Sequence, residues 1–335
     1  MEKLSFDALE FIAKEKRDRK VLITFHSMGD TDAVSSAVSL LDHFTNARVA
    51  TPDFITPNAT RILKKLGFNP EMITNRFDES AELVIMTDVN NFEDCGPFRY
   101  KLEGFGGDIL IIDHHMPREI DKNRVFVFND ESYNSACSIT YELLGALGIK
   151  VSETTSKILL SGIISDSADL KNAGAKTFTQ IGELLGIVKM DYPTFLDQMT
   201  HVADVQGRAK TLNDIVKAQV DLYGDILVMH GKAHAHANIA ADYAIKIGAD
   251  VGFFYSENER EMSFSGRLRP PLDKKLGVHL GVLMKSIAKR LNGNGGGHPC
   301  AAGAYGPLGS ANPEDIEEFF ISEILKRAKV AASTV

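Results

Sequence analysis

The sequence predicts an α/β protein of two domains: an N-terminal one with a largely parallel sheet flanked by helices, and a smaller C-terminal α/β one. Three observations lead there. In the first half, short apolar runs alternate with stretches of helical spacing, the pattern of strands joined by crossover helices. Several of those runs stop at an Asp or a His, on the edge where open parallel sheets gather ligands. The length of 335 residues, 44% hydrophobic and 24% charged, leaves room for about two cores. The expected limits are residues 1–190 for the first domain, 191–222 for a helical linker and 223–330 for the second.

The elements follow in order. Residues 3–18 set Leu4, Phe6, Leu9, Phe11 and Ile12 among charges at helical spacing, an amphipathic opening helix. Lys20–Phe25 is a buried strand that delivers His26-Ser27-Met28-Gly29-Asp30-Thr31-Asp32, after which Val34, Ala37, Val38 and Leu41 recur helically as far as Phe44. Leu83–Thr87 is a strand ending at Asp88, Ile109–Ile112 one ending at Asp113-His114-His115, and Val125–Phe128 a further short one. Helices are expected over Asn58–Leu66, Ser135–Leu147 and Thr154–Ile164, the last leading to Asp166. Polar helices follow over Phe178–Leu185, Tyr192–Val202 and Asn213–Leu222. Then come a strand from Asp225 to Met229, a helix Ala237–Ile247, strands Val251–Tyr255 and Glu261–Leu268, an amphipathic helix Leu276–Leu291 and a loop Asn292–Pro299. A closing helix runs from Pro313 to about Lys329, with Asn312 as its cap and Pro at the first helical position.

Composition excludes several classes. No apolar run approaches the roughly 18 uncharged residues of a membrane span, and Met1-Glu2-Lys3-Leu4 lacks a signal-peptide core, so a cytoplasmic protein is expected. Cys95, Cys137 and Cys300 are odd in number and far apart, which supports neither a disulfide framework nor a Cys-x-x-Cys zinc site. A net charge of −8 disfavours long duplex nucleic acid. Between Arg260 and Pro299, however, eight Lys or Arg face two acids, a local surface for a polyanion.

Collected at the strand ends are His26, Asp30, Asp32, Asp88, His114 and Asp166, with His115 adjacent. Four carboxylates on one rim repel one another unless cations neutralise them. A mixed Asp and His set suits Mn²⁺, with Co²⁺ or Mg²⁺ as substitutes. Six ligands are too many for one tetrahedral zinc and suit two ions that hydrolyse a phosphate ester.

These motifs resemble the DHH phosphoesterases that carry the DHH-associated C-terminal domain, DHHA1. His26-x-x-x-Asp30-x-Asp32, Asp88 after a strand, Asp113-His114-His115 and Asp166 in Gly162-Ile-Ile-Ser-Asp166 match the four N-terminal motifs in order, and Gly295-Gly296-Gly297-His298-Pro-Cys-Ala301-Ala302-Gly303 matches the C-terminal signature. The resemblance implies that His26 and Asp30 hold a first ion, that Asp32, His114 and Asp166 hold a second, and that Asp88 bridges them. It implies a catalytic His115 that contacts the phosphate or protonates the leaving oxygen, and an Asp113 that orients His114. Where many members follow the fourth-motif Asp with Thr-Gly, this chain has Asp166-Ser167-Ala168-Asp169-Leu170, which affects the substrate pocket.

Successive glycines let a backbone approach an anion, so Gly295, Gly296, Gly297 and His298, with Arg267 and Arg269, are expected to bind substrate phosphate. The second domain is expected to bring Arg267 and His298 to it. His234 and His236 lack a nearby carboxylate cluster and read as surface histidines, and Ser35-Ser36 reads as a helix start. The subgroup most like this chain is the nanoRNase and pAp-phosphatase group, which takes short oligonucleotides and nucleotide phosphates. The alternatives are a cyclic-dinucleotide phosphodiesterase, an exopolyphosphatase, a pyrophosphatase or a non-enzymatic replication scaffold. Superfamily precedent allows a homodimer.

Overall fold

Every strand of the N-terminal sheet runs parallel to its neighbours. The computed structural model describes residues 5–118, 120, 123–200, 205–234 and 236–332, and the chain divides into two units, residues 1–200 and 201–335. In the first unit α1 (Phe6–Glu15) leads into β1 (Val21–Thr24), α2 (Thr31–Ser39), β2 (Ala47–Val49), α3 (Pro57–Lys65) and β3 (Leu83–Thr87). Then come α4 (Arg99–Gly104), β4 (Asp108–Asp113), β5 (Val125–Asn129), α5 (Ala136–Ala146), α6 (Glu153–Asp166), α7 (Ala175–Val188) and α8 (Tyr192–Met199).

The strand order β2-β1-β3-β4-β5 reverses direction between β1 and β3. The connections on the two sides of that point diverge and leave a crevice beyond the carboxyl ends of the strands. His26 and Asp88 emerge there. The sheet is buried on both faces, with Leu22, Ile23, Val84, Ile85, Leu110 and Ile111 at 0% exposure, as continuous apolar runs in a parallel sheet require. Helix α2 is buried along its whole length, and its small residues make that packing feasible. Ser35 Oγ lies 3.3 Å from Ser161 Oγ on α6, and Ser36 Oγ donates to Ala33 O, so this pair serves helix packing.

The second unit comprises α9 (Val205–Lys217), β6 (Gln219–Tyr223), β7 (Ile226–Lys232), α10 (Ala237–Ile247), β8 (Val251–Glu257) and β9 (Glu261–Leu268). It ends with α11 (Leu272–Leu276), α12 (Leu280–Arg290), β10 (Asn294–Gly297), β11 (Ala301–Pro307) and α13 (Pro313–Ala332). Its strand order is β10-β11-β9-β8-β7-β6, antiparallel except for β7 beside β8. Phe253 on β8 stacks on Phe320 of α13 at 3.9 Å between ring centroids, at the centre of its core.

Two local readings are corrected. The helix expected over Asn213–Leu222 stops at Lys217, and β6 takes over because Val220 and Leu222 pair with Met229 and Leu227 across a hairpin whose Gly224 has φ 61°. Residues 294–297, read as loop, form β10, and the three-residue β2 was too short to show a pattern. Of the segment 191–222, α8 lies in the first unit and α9 and β6 in the second. The expected starting residues Lys3 and Leu4 and the extension of α8 to Val202 lie outside the described residues.

Candidate metal centre

Each side chain of the constellation is placed by an element end. His26 follows β1, Asp30 caps α2 by accepting Ala33 N at 3.1 Å, and Asp32 sits in the first turn of the same helix. Asp88 follows β3 and His114 follows β4, while Asp166 is the last residue of α6. The six come together. His26 Nε2 lies 3.7 Å from Asp30 Oδ2 and 3.5 Å from Asp88 Oδ2. His114 Nε2 lies 3.2 Å from Asp88 Oδ1, 3.3 Å from Asp166 Oδ2 and 3.9 Å from Asp32 Oδ2. The two oxygens of Asp88 thus face two different imidazoles, as a carboxylate shared between neighbouring cations would.

Asp32 is held from behind. Its Oδ2 accepts Ala136 N at 2.6 Å and its Oδ1 accepts Cys137 N at 3.0 Å, so the amides opening α5 fix the carboxylate, with the helix dipole favouring its charge. Asp88 has φ 58°, a left-handed conformation costly for a residue with a β-carbon, and its amide is tied to Ile112 O at 3.0 Å.

Asp113 does not orient His114 as expected. It is fully buried, and its Oδ1 lies 2.9 Å from His115 Nδ1 while its Oδ2 accepts His115 N at 3.2 Å. The same Oδ2 accepts Asn90 Nδ2 at 2.6 Å and Asn129 Nδ2 at 3.0 Å. A buried carboxylate with this many donors is fixed in place and holds the His115 ring, whose Nδ1 is also 3.6 Å from Asp88 Oδ1. Sequence reading missed Asn90 and Asn129. The available signal was that both are Asn at the carboxyl ends of strands adjacent to β4.

The charges are mutually dependent. Burial opposes charging His26, but Asp30 and Asp88 raise it to about 10; burial likewise opposes His114, which Asp88 and Asp32 bring to about 10. Burial also opposes ionising Asp88, yet His114 and His26 hold it down to about 2. Burial and the charge of Asp88 push Asp166 up to about 6, and burial with Asp88 and Asp166 pushes Asp32 well up. Asp88 Oδ1 and His114 Nε2 are buried without hydrogen-bond partners. Ligand atoms of His26, Asp30 and Asp88, of Asp32, His114 and Asp166, and of Asp88, His114 and His115 lie within 4.8 Å of one another in each set. Orphaned buried ligand atoms and crowded carboxylates are what divalent cations would satisfy, so the residues fit the metals that the motifs imply.

Comparison with known proteins agrees. Residues 20–163 match the DHH family, N-terminal domain, and residues 226–328 match the DHHA1 domain. The chain belongs to the DHH/DHHA1 phosphoesterase superfamily. It is 28% identical over 330 residues to an uncharacterized protein of Methanocaldococcus jannaschii, covering 95% of each chain. It is also 28% identical over 243 residues to a probable manganese-dependent inorganic pyrophosphatase of Streptococcus pyogenes, covering 70% of this chain and 67% of that one. Its fold is similar to that of an exopolyphosphatase-related protein from Bacteroides fragilis, at a TM-score of 0.77 and 16% identity over 98% of this chain and 97% of the other.

In the DHHA1 domain the signature glycines do not form the expected loop. Gly295 pairs with Ala304 and Gly297 with Ala302 in the β10–β11 ladder. A β-carbon at Gly295 would stand 2.8 Å from Met284 O of α12, and one at Gly281 would overlap Gly297 O, so glycine is required where α12 crosses β10. Gly296 is freer, with Lys285 Cε 3.7 Å from the position of its missing β-carbon. His298 is exposed and its amide donates to Ala301 O at 2.8 Å. Arg267 donates to Gly266 O at 3.1 Å and Ser265 Oγ at 3.4 Å, and burial lowers its pKa. It forms no ion pair among the described residues, which suits an incoming anion. Arg269 is engaged otherwise: it donates to Gly248 O, to Ala249 O at 3.4 Å, and approaches Asp250 Oδ1 at 3.6 Å, bracing the turn after α10. His234 is not without a carboxylate, since its Nδ1 lies 2.6 Å from buried Asp214 Oδ1. None of the potential ligand sets among the described residues includes His234 or His236.

Proposed function

We propose that this chain is a two-metal phosphoric ester hydrolase that trims short oligonucleotides from an end and dephosphorylates nucleotide phosphates such as 3'-phosphoadenosine 5'-phosphate. The observation that carries the reading is Asp88, whose two oxygens face His26 and His114 and thereby join two ligand sets. His26 and Asp30 would hold one cation, Asp32, His114 and Asp166 the other, and Asp88 both. When bound, such a pair supplies positive charge for the phosphoryl oxygens and acidifies the attacking water. As the water oxygen bonds to phosphorus, the bond to the leaving oxygen breaks. His115, held by Asp113, donates the proton that the leaving oxygen takes up, while the attacking water gives up its own proton to solvent, from which His115 is reprotonated. Arg267, a half-buried guanidinium that forms no ion pair among the described residues, supports a nucleotide or polyphosphate substrate over a neutral one.

The similarity to a manganese-dependent pyrophosphatase favours inorganic pyrophosphate as the second reading. Assay of the Mn²⁺-loaded protein against 3'-phosphoadenosine 5'-phosphate, di- to pentanucleotide RNA and DNA, cyclic dinucleotides and pyrophosphate separates the two. Release of mononucleotide or adenosine monophosphate, abolished in Asp88→Ala, is the expected result. Turnover of pyrophosphate alone would leave the second reading standing, and inactivity on every substrate would sink both.

A further inference from the structure

One face of α6 carries both a gap and a candidate ligand. Gly162 and Asp166 lie four residues apart and therefore on the same side of the helix. A β-carbon at Gly162 would overlap Cys137 Sγ and stand 2.8 Å from Asp32 Oδ1 and 3.1 Å from Cys137 Cβ. Neither neighbour has room to step aside. Asp32 is 1% exposed and pinned by the amides of Ala136 and Cys137, and Cys137 is 0% exposed with its Sγ 3.6 Å from Asp32 O.

We propose that Gly162 is a positioning residue of the metal centre. Its missing side chain lets α6 seat directly on Asp32 and the opening turn of α5, so that Asp166, one turn further on, reaches His114 at 3.3 Å and completes the set Asp32, His114 and Asp166. This rests on the two-ion reading above. Any side chain at 162 either lifts α6 or turns the Asp32 carboxylate off its two amides. The consequence is one-sided, because the set His26, Asp30 and Asp88 draws no residue from α5 or α6.

Calorimetric titration of Mn²⁺ into the metal-free full-length protein, with chemical unfolding in chelator as the check on folding, tests this. Wild type and C137A are expected to take up two equivalents. G162A is expected to keep one site and to weaken the other by roughly 10–100-fold, the usual effect of disturbing what orients a metal ligand. The double variant C137A/G162A removes the overlap with sulfur and leaves the approach to Asp32, so it should fold and still show the weakened second site. Two sites of wild-type affinity in G162A, or recovery of both in the double variant, would overturn the inference: the gap would then serve only the packing of Cys137. A wild type that binds no Mn²⁺ is a separate outcome that defeats the two-ion reading itself.

Discussion

His115 shows how much a single side chain depends on what stands behind it. Its Nδ1 faces a buried carboxylate that accepts from Asn90, Asn129 and its own backbone amide, so the ring is fixed and the burden of proton transfer falls on its other nitrogen. Contact with Asp113 raises the pKa of His115, which favours the protonated ring that a general acid requires. Both Asp113→Asn and His115→Ala should lower kcat by roughly 10²–10⁴-fold, the range typical for a positioned acid. Manganese stoichiometry should stay at two in each, measured by calorimetry, because neither residue is assigned to the first or second ion. Loss of an equivalent together with activity would make His115 a ligand. Asp113 was legible in the sequence as a carboxylate beside two imidazoles, but which one it serves was not, since adjacent residues at a strand end diverge in direction. Asn90 and Asn129 support the ring through Asp113 and also donate to Met116 O at 2.9 Å and His115 O at 2.8 Å, and an amide whose role is indirect leaves no mark of its own in a sequence.

At the scale of elements, the bounds of β3, β9 and α10 coincide with those read from the sequence because each has a clear apolar period and a polar stop. Elements without a side-chain pattern escaped: β10 consists of Asn and three glycines, and β6 exposes Val220 and Leu222 instead of burying an alternate face. The segment after α6 was flagged by its departure from the usual Thr-Gly, and the structure gives it a distinct geometry. Ala168, Asp169 and Leu170 all have positive φ, at 53°, 53° and 70°, closed by hydrogen bonds from Asp169 N to Ile164 O and from Asn172 N to Ser167 O. Three consecutive left-handed residues with β-carbons store strain next to Asp166. Ala168→Gly should therefore stabilise the protein by about 1 kcal/mol, less the added freedom of glycine in the unfolded chain. Urea unfolding with and without Mn²⁺ measures it, and a lower midpoint would show that the turn is not strained.

For the molecule as a whole, the crowded centre makes stability depend on pH in a way that metal should reverse. In chelator, Asp166 is raised to about 6 and His26 and His114 to about 10, so the folded state holds protons that the unfolded chain would release. Their contribution is complete below the ordinary values and is lost as pH rises, through about 6 for the carboxyl and about 10 for the imidazoles. Asp88, held at about 2, acts in the opposite sense only in the acid range between about 2 and 4. The melting temperature of the chelated protein should fall from pH 6.5 to 10, while the increment given by Mn²⁺ grows, because cations and protons compete for the same atoms. A scanning-calorimetry series across that range, with equal increments at every pH, would contradict the competition. The glycine strand β10 has a consequence of another kind. Gly295, Gly296 and Gly297 carry no side chains, so a substrate lying along β10, as proposed, would meet peptide groups, and these do not distinguish one base from another. On the proposed reading, such a surface would select its substrate by charge and width and be indifferent to base sequence.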